Sequence, residues 1–68
     1  MEKIIIDSDF IKLDQLLKYI GIASTGGEAK AIIYDGLVKV NGEVTSQRGK
    51  KLRKDDVVEI DNTKYVIC

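Results

Sequence analysis

The sequence predicts an α+β domain in which a two-helix αα-hairpin packs on a small, mainly antiparallel β-sheet. Three observations carry this. Apolar residues recur with helical period in two stretches, Ile11–Ile20 and Thr25 to about Asp35, each followed by a glycine. Asn41-Gly42 sits between two short runs that read as strands. Further β-branched runs occur near both ends of the chain. A chain of 68 residues forms one domain, 1–68, with a small core, because at this size only ~60% of the unfolded surface is buried.

Lys3–Ile6 is a β-branched run, expected to pair with a later strand because it is too short to stand alone. Asp7-Ser8-Asp9 is a polar turn in which Ser8 or Asp9 is placed to cap the first helix. In Ile11–Ile20, Leu13, Leu16, Leu17 and Ile20 fall at i, i+3, i+4 and i+7, one buried stripe. Lys12, Gln15 and Tyr19 share a different face. Gly21 ends this helix, at a position where a left-handed residue is favoured.

Ile22-Ala23-Ser24 links to Thr25-Gly26-Gly27-Glu28, which reads as a capping box. The Thr25 hydroxyl is expected to accept from the N–H of residue 28, and the Glu28 carboxylate from the N–H of Thr25. Ala29, Ile32 and Ile33 form the inner stripe of the second helix, Lys30 and Tyr34 share its outer face, and Gly36 stops it. In Leu37–Asn41, Val38 and Val40 point opposite to Lys39 and Asn41. Asn41-Gly42 predicts a type I′ hairpin, which needs positive φ at both central residues, and Glu43–Thr45 begins the return strand. Residues 46–54 read as a loop, and Val57–Ile60 and Thr63–Ile67 as strands about an Asp61-Asn62 turn. The predicted core is Leu13, Leu16, Leu17, Ile20, Ala29, Ile32, Ile33, Val38, Val40, Val57 and Ile60.

Composition narrows the function. Cys68 is the only cysteine, so no internal disulfide forms and a reducing cytoplasm is the expected home. No apolar run approaches the ~18 residues needed to span a bilayer, and the three isoleucines after Lys3 are too few for a signal peptide, so no membrane partner is expected. Without histidine the usual base and metal ligand are missing. Cys68 has no evident activating partner, Asp55-Asp56 reads as a turn rather than a cation site, and no phosphate-cradling loop is present. We therefore expect no catalytic residue, metal, cofactor or small-molecule substrate.

The charge is informative in its distribution. The net charge is zero, yet residues 46–54 hold Arg48, Lys50, Lys51, Arg53 and Lys54 with no acid among them. Asp7, Asp9, Asp55, Asp56, Glu59 and Asp61 supply most of the balance. Charge alone reads equally as a phosphate-contact surface or as a solvated loop. Thr25-Gly26-Gly27 is a helix start whose free N–H groups and dipole also suit an anion. Lys12, Gln15, Lys30 and Lys39 are exposed polar positions that gain meaning only if the fold groups them. Tyr19 and Tyr34 are of a type that stacks on bases, but half-buried packing is the expected role of both. Asn41 is primarily a turn residue.

The residues at 11–60 resemble the RNA-binding domain named after ribosomal small-subunit protein four, the S-four domain. The resemblance is carried by Leu13-Asp14, Gly21, Glu28-Ala29-Lys30, Gly36 and Val38-Lys39-Val40-Asn41-Gly42 in this order and spacing. Small free-standing bacterial members are closer still, through Thr25-Gly26-Gly27, Ala29-Lys30 and the basic Arg48-Gly49-Lys50-Lys51-Leu52. The resemblance implies an S-four-like fold, the alpha-L RNA-binding motif, and non-catalytic binding to structured RNA such as ribosomal RNA, a ribosomal subunit or an assembly intermediate. The implied contacts are Lys12, Gln15, Thr25, Gly26, Gly27, Lys30, Lys39, Arg48, Lys50 and Lys51, with Arg53 and Lys54 next in rank. A competing expectation is an adaptor that docks a ribosomal protein or assembly factor. The chain departs from the family pattern with Lys12 for arginine, Thr25-Gly26 for Ser-Arg, and Asp55-Asp56 for Gly-Asp.

Overall fold

The computed structural model describes residues 1–68. Its elements are β1 (Glu2–Ile4), β2 (Ile11–Lys12), α1 (Leu13–Tyr19), α2 (Gly26–Tyr34), β3 (Lys39–Val40), β4 (Glu43–Val44), β5 (Lys51–Leu52), β6 (Val57–Ile60) and β7 (Thr63–Ile67). The class is α+β, with two helices that pack on one another and a mixed five-stranded sheet ordered β1-β7-β6-β3-β4. A separate two-stranded sheet joins β2 to β5. Every strand pair is antiparallel except β1 with β7, which brings the two ends of the chain side by side. No helix is long and apolar enough to cross a membrane.

The first helix starts two residues later than its period suggests. Ile11 and Lys12 are extended and form β2, opposite Leu52 and Lys51. The reason lies far along the chain. A helix start leaves its first N–H groups without partners. Here Leu13 N donates to Lys50 O (2.9 Å) and Asp14 N to Arg48 O (3.0 Å). The basic segment thus fixes where α1 begins. Neither Ser8 nor Asp9 caps it; the Ser8 hydroxyl donates to Phe10 O instead. The Gln15 side chain reaches back, its Oε1 accepting from Lys12 N at 3.3 Å.

Thr25 caps α2 as expected, its Oγ1 accepting from Glu28 N at 3.1 Å. The reciprocal bond is displaced by one residue. The Glu28 carboxylate accepts from Ser24 N (3.2 Å) and Ser24 Oγ (3.3 Å), where one residue offers two donors rather than one.

Both hairpins turn on pairs of positive-φ residues. Asn41 (φ 52) and Gly42 (φ 86) join β3 to β4, and Asp61 (φ 54) and Asn62 (φ 61) join β6 to β7. This is the backbone a two-residue type I′ turn requires.

The core contains Leu13, Leu16, Leu17, Ala29, Ile33, Val38, Val40 and Ile60 from the expected set, together with Ile4, Ala23, Leu52, Val58 and Ile67. Ile20 and Ile32 pack on its margin. Val57 is a correction. Side chains alternate along a strand, so Val58 and Ile60 face the core while Val57 and Glu59 lie on the other face, only partly buried. The segment 46–54 is not wholly a loop either: Lys51–Leu52 is β5, and Leu52 is fully buried.

Candidate nucleic-acid interface

The start of α1 is where the cations meet. A turn closed by Lys50 N donating to Gln47 O (3.2 Å) carries Arg48 and Gly49 across the helix end. The two backbone bonds from Leu13 and Asp14 then seat this turn on α1. Burial of Leu52 anchors β5, and strand alternation turns Lys51 and Arg53 outward, where both are exposed. Lys51 Nζ lies 4.8 Å from the centroid of the Phe10 ring and the Arg53 guanidinium carbon 5.6 Å from it. Cations within ~6 Å of an aromatic face are held there by the ring quadrupole.

Lys12 stands directly opposite Lys51 in the β2–β5 pair, and both are exposed. Directly opposed side chains in an antiparallel pair have Cβ atoms about 4.5–5.5 Å apart, so like charges there repel. An anion seated between them would relieve this repulsion. The only ion pair in the molecule is Arg48 Nε with Asp14 Oδ2, at 3.9 Å. At that distance and exposure it contributes about 0–1 kcal/mol, which leaves the guanidinium free to bind elsewhere.

The structure therefore brings together Lys12, Arg48, Lys50, Lys51 and Arg53, with Gln15 within the first turn of α1. Arg53 also borders a shallow cleft with Lys54, Asp7 and Asp9, so the far side of the cluster is balanced by acids. Thr25, Gly26 and Gly27 stand after the opposite end of α1, which at seven residues is about 10 Å long. Gly26 and Gly27 are open to close approach, since an added Cβ would meet nothing nearer than Thr25 Oγ1 at 4.0 Å. Lys30 lies along α2 with its Nζ 5.5 Å from the Tyr34 ring centroid.

Lys39 is not part of the cluster. It lies on β3 opposite Glu59 of β6, and Glu59 in turn is opposite Lys64 of β7. Tyr19 and Tyr34 depart from their expected half-buried packing and are 68% and 56% exposed. Asp56 is structural. Its Oδ1 accepts from Asn41 Nδ2 (3.1 Å) and its Oδ2 from Arg53 N (2.8 Å), while Asn41 Oδ1 accepts from Val57 N (2.9 Å). Asn41 thus ties the β3–β4 hairpin to the end of the basic segment, beyond its role in the turn.

Phe10 escaped the sequence reading. No local pattern marks it, because its cations, Lys51 and Arg53, lie more than forty residues on. Only the β2–β5 pairing puts them over the ring.

Three comparisons bear on this arrangement. The family model of the S4 domain matches residues 4–68. A probable ribosome maturation protein, RlbA, of Bacillus subtilis (strain 168) is 43% identical over 56 residues, covering 82% of this chain and 79% of that protein. The crystal structure of the 30S ribosomal protein S4e from Thermoplasma acidophilum is similar with a TM-score of 0.71 at 26% identity, over 88% of this chain. The chain spans about a third of that ribosomal protein, 32% of its length.

Proposed function

The chain belongs to the S4 domain family, and from that premise we propose that it is a non-catalytic RNA-binding protein that recognises structured RNA, with ribosomal RNA or a ribosome-associated particle as the partner. The contacts run over an αα-hairpin of alpha-L type and the basic segment. The observation that carries the reading is the group of cations at the start of α1: Lys12 opposite Lys51 with no carboxylate paired to either, flanked by Arg48, Lys50 and Arg53.

A-form RNA presents phosphates and 2′-hydroxyls across a wide, shallow minor groove. A helix start ringed by cations fits such a surface. Gln15 supplies a neutral donor beside them. The α2 start at Thr25-Gly26-Gly27 and Lys30 extend the footprint by one helix length. Lys39, opposite Glu59, is left out of the contact set.

The test is affinity for a hairpin RNA, read by fluorescence anisotropy across a salt series. Each phosphate contact adds about −0.7 to −0.9 to the slope of log affinity against log salt, so the five cations give at most roughly −4.5. Combining Lys50→Glu with Lys51→Glu lowers affinity by about 100-fold at low salt and flattens the slope. No binding at low salt, or binding indifferent to the double substitution, hands the function to the adaptor that docks a ribosomal protein or assembly factor.

A further inference from the structure

We propose that the groove beside the cationic cluster holds a single unpaired nucleobase of the bound RNA; this rests on the RNA-binding reading above. Ile5, Phe10, Ile11 and Tyr19 form its apolar walls, and Asp7 and Gln15 its polar edge. Ile5 is 76% exposed and Tyr19 68%. Large apolar groups left in water beside one another mark a surface that something covers.

The neighbouring charge identifies the occupant. Phe10 is at once a wall of the groove and the ring beneath Lys51 and Arg53. The groove therefore opens beside the cations that face phosphate. Its own polar edge has the opposite preference. The Asp7 carboxylate repels phosphate but accepts from the amino and imino groups of a base. Gln15 Oε1 is engaged by Lys12 N, which leaves the amide NH₂ of the same side chain to donate to a base carbonyl or ring nitrogen. Phosphate is thus directed to the lysines and the planar ring to the groove. Aromatic side chains bind bases by stacking whatever their sequence, because every base has a π-face.

The volume of about 230 Å³ lies below the ~300–1,000 Å³ of pockets for drug-sized ligands, so it suits one base and not a dinucleotide. A base in a continuous duplex is stacked inside and cannot enter. The preferred RNA then has a bulge, loop or junction next to a helix.

The experiment compares a perfect RNA hairpin with the same hairpin carrying one bulged 2-aminopurine, whose fluorescence falls when it stacks. The wild-type protein is expected to bind the bulged RNA about tenfold more tightly and to quench the probe, a gain within the range of one base–aromatic stack. Tyr19→Ala is expected to abolish the quench and bring the bulged-to-perfect affinity ratio to about one, while Tyr19→Phe retains both. Because Tyr19 is exposed, its alanine variant should unfold at the same urea concentration as the wild type. Equal affinity for the two RNAs without quenching, or a Tyr19→Ala loss that is the same for both, overturns the groove and leaves the phosphate-contact reading standing. Failure to bind either RNA at low salt overturns both.

Discussion

Lysine faces lysine across the small sheet and glutamate across the large one. On the β3–β6–β7 face, Lys39, Glu59 and Lys64 alternate in sign at directly opposed positions. On β2–β5, Lys12 opposes Lys51 and no carboxylate bridges them. Both are antiparallel pairings, and such pairs contribute about 0.2–1 kcal/mol with a sign set by the charges. The large sheet sets opposite charges against each other. The small one sets like charges against each other. A net charge of zero averages over these two regions and hides the second.

The contrast extends to how each is built. The large sheet is secured by Ile4, Val58, Ile60 and Ile67, all buried. The small sheet depends on Leu52, backed by two backbone bonds from α1. Leu52→Ala should therefore have the largest effect, costing about 2–5 kcal/mol in urea denaturation, as expected for a buried leucine. It should weaken RNA binding under conditions where the domain is still folded, because it frees the basic strand before it unfolds the large sheet. A loss below about 1 kcal/mol would mean that Leu52 can leave the core with little penalty. The small sheet would then be no more than a surface loop.

The sequence foretold one of these regions better than the other, for a physical reason. Helical period, the Thr25 cap and the Asn41-Gly42 turn are local signals, and α2 and the β3–β4 hairpin follow them. The start of α1 obeys a distant partner. Its donors are satisfied by carbonyls at 48 and 50, so the residues just before Leu13 become strand although their pattern continues the helix. The same pairing hid Leu52 from the predicted core and Phe10 from the predicted site. Lys12, Arg48, Lys50, Lys51 and Arg53 were legible as cations, but their convergence was not, since it depends on strand pairing across forty residues. Lys39 was legible too, and its place opposite Glu59 was invisible for the same reason. Val57 is different: β6 alternation, a local rule, already separated it from Ile60.

Reversing one charge in each region sharpens the comparison. Lys12→Glu creates an opposed Glu–Lys pair and should stabilise the fold by about 0.2–1 kcal/mol. Its RNA affinity should nevertheless fall, by about tenfold at low salt, and the salt slope should drop by about 1 or more. Lys39→Glu does the reverse. It sets two glutamates against each other, lowers stability by about 0.2–1 kcal/mol and leaves RNA affinity within about twofold. Thermal melts on the two variants give opposite signs, and anisotropy titrations give a loss for Lys12→Glu alone. Equal losses of affinity would show that RNA spans both faces, and the division of labour between the sheets would be wrong.

The smallest effect is expected at Asp55. Its φ of 77 lies in the left-handed region, and its N–H donates to Ile67 O at 2.7 Å whatever the side chain. Its carboxylate makes no hydrogen bond or ion pair and stands two residues from Arg53. Asp55→Gly should raise stability by roughly 1 kcal/mol by relieving the backbone, and RNA affinity by about twofold by removing an acid beside the cluster. Asp55→Asn separates the two causes: it removes the charge while keeping a side chain at positive φ, so it should share the affinity gain with little of the stability gain. The corresponding control on the large sheet is Asp61→Asn, at φ 54 in the β6–β7 turn. Loss of that carboxylate changes the net charge identically but lies away from the cluster, so affinity should not move. A matching gain at Asp61 would mean that RNA responds to the summed field of the molecule, and the opposed lysines would lose their special place.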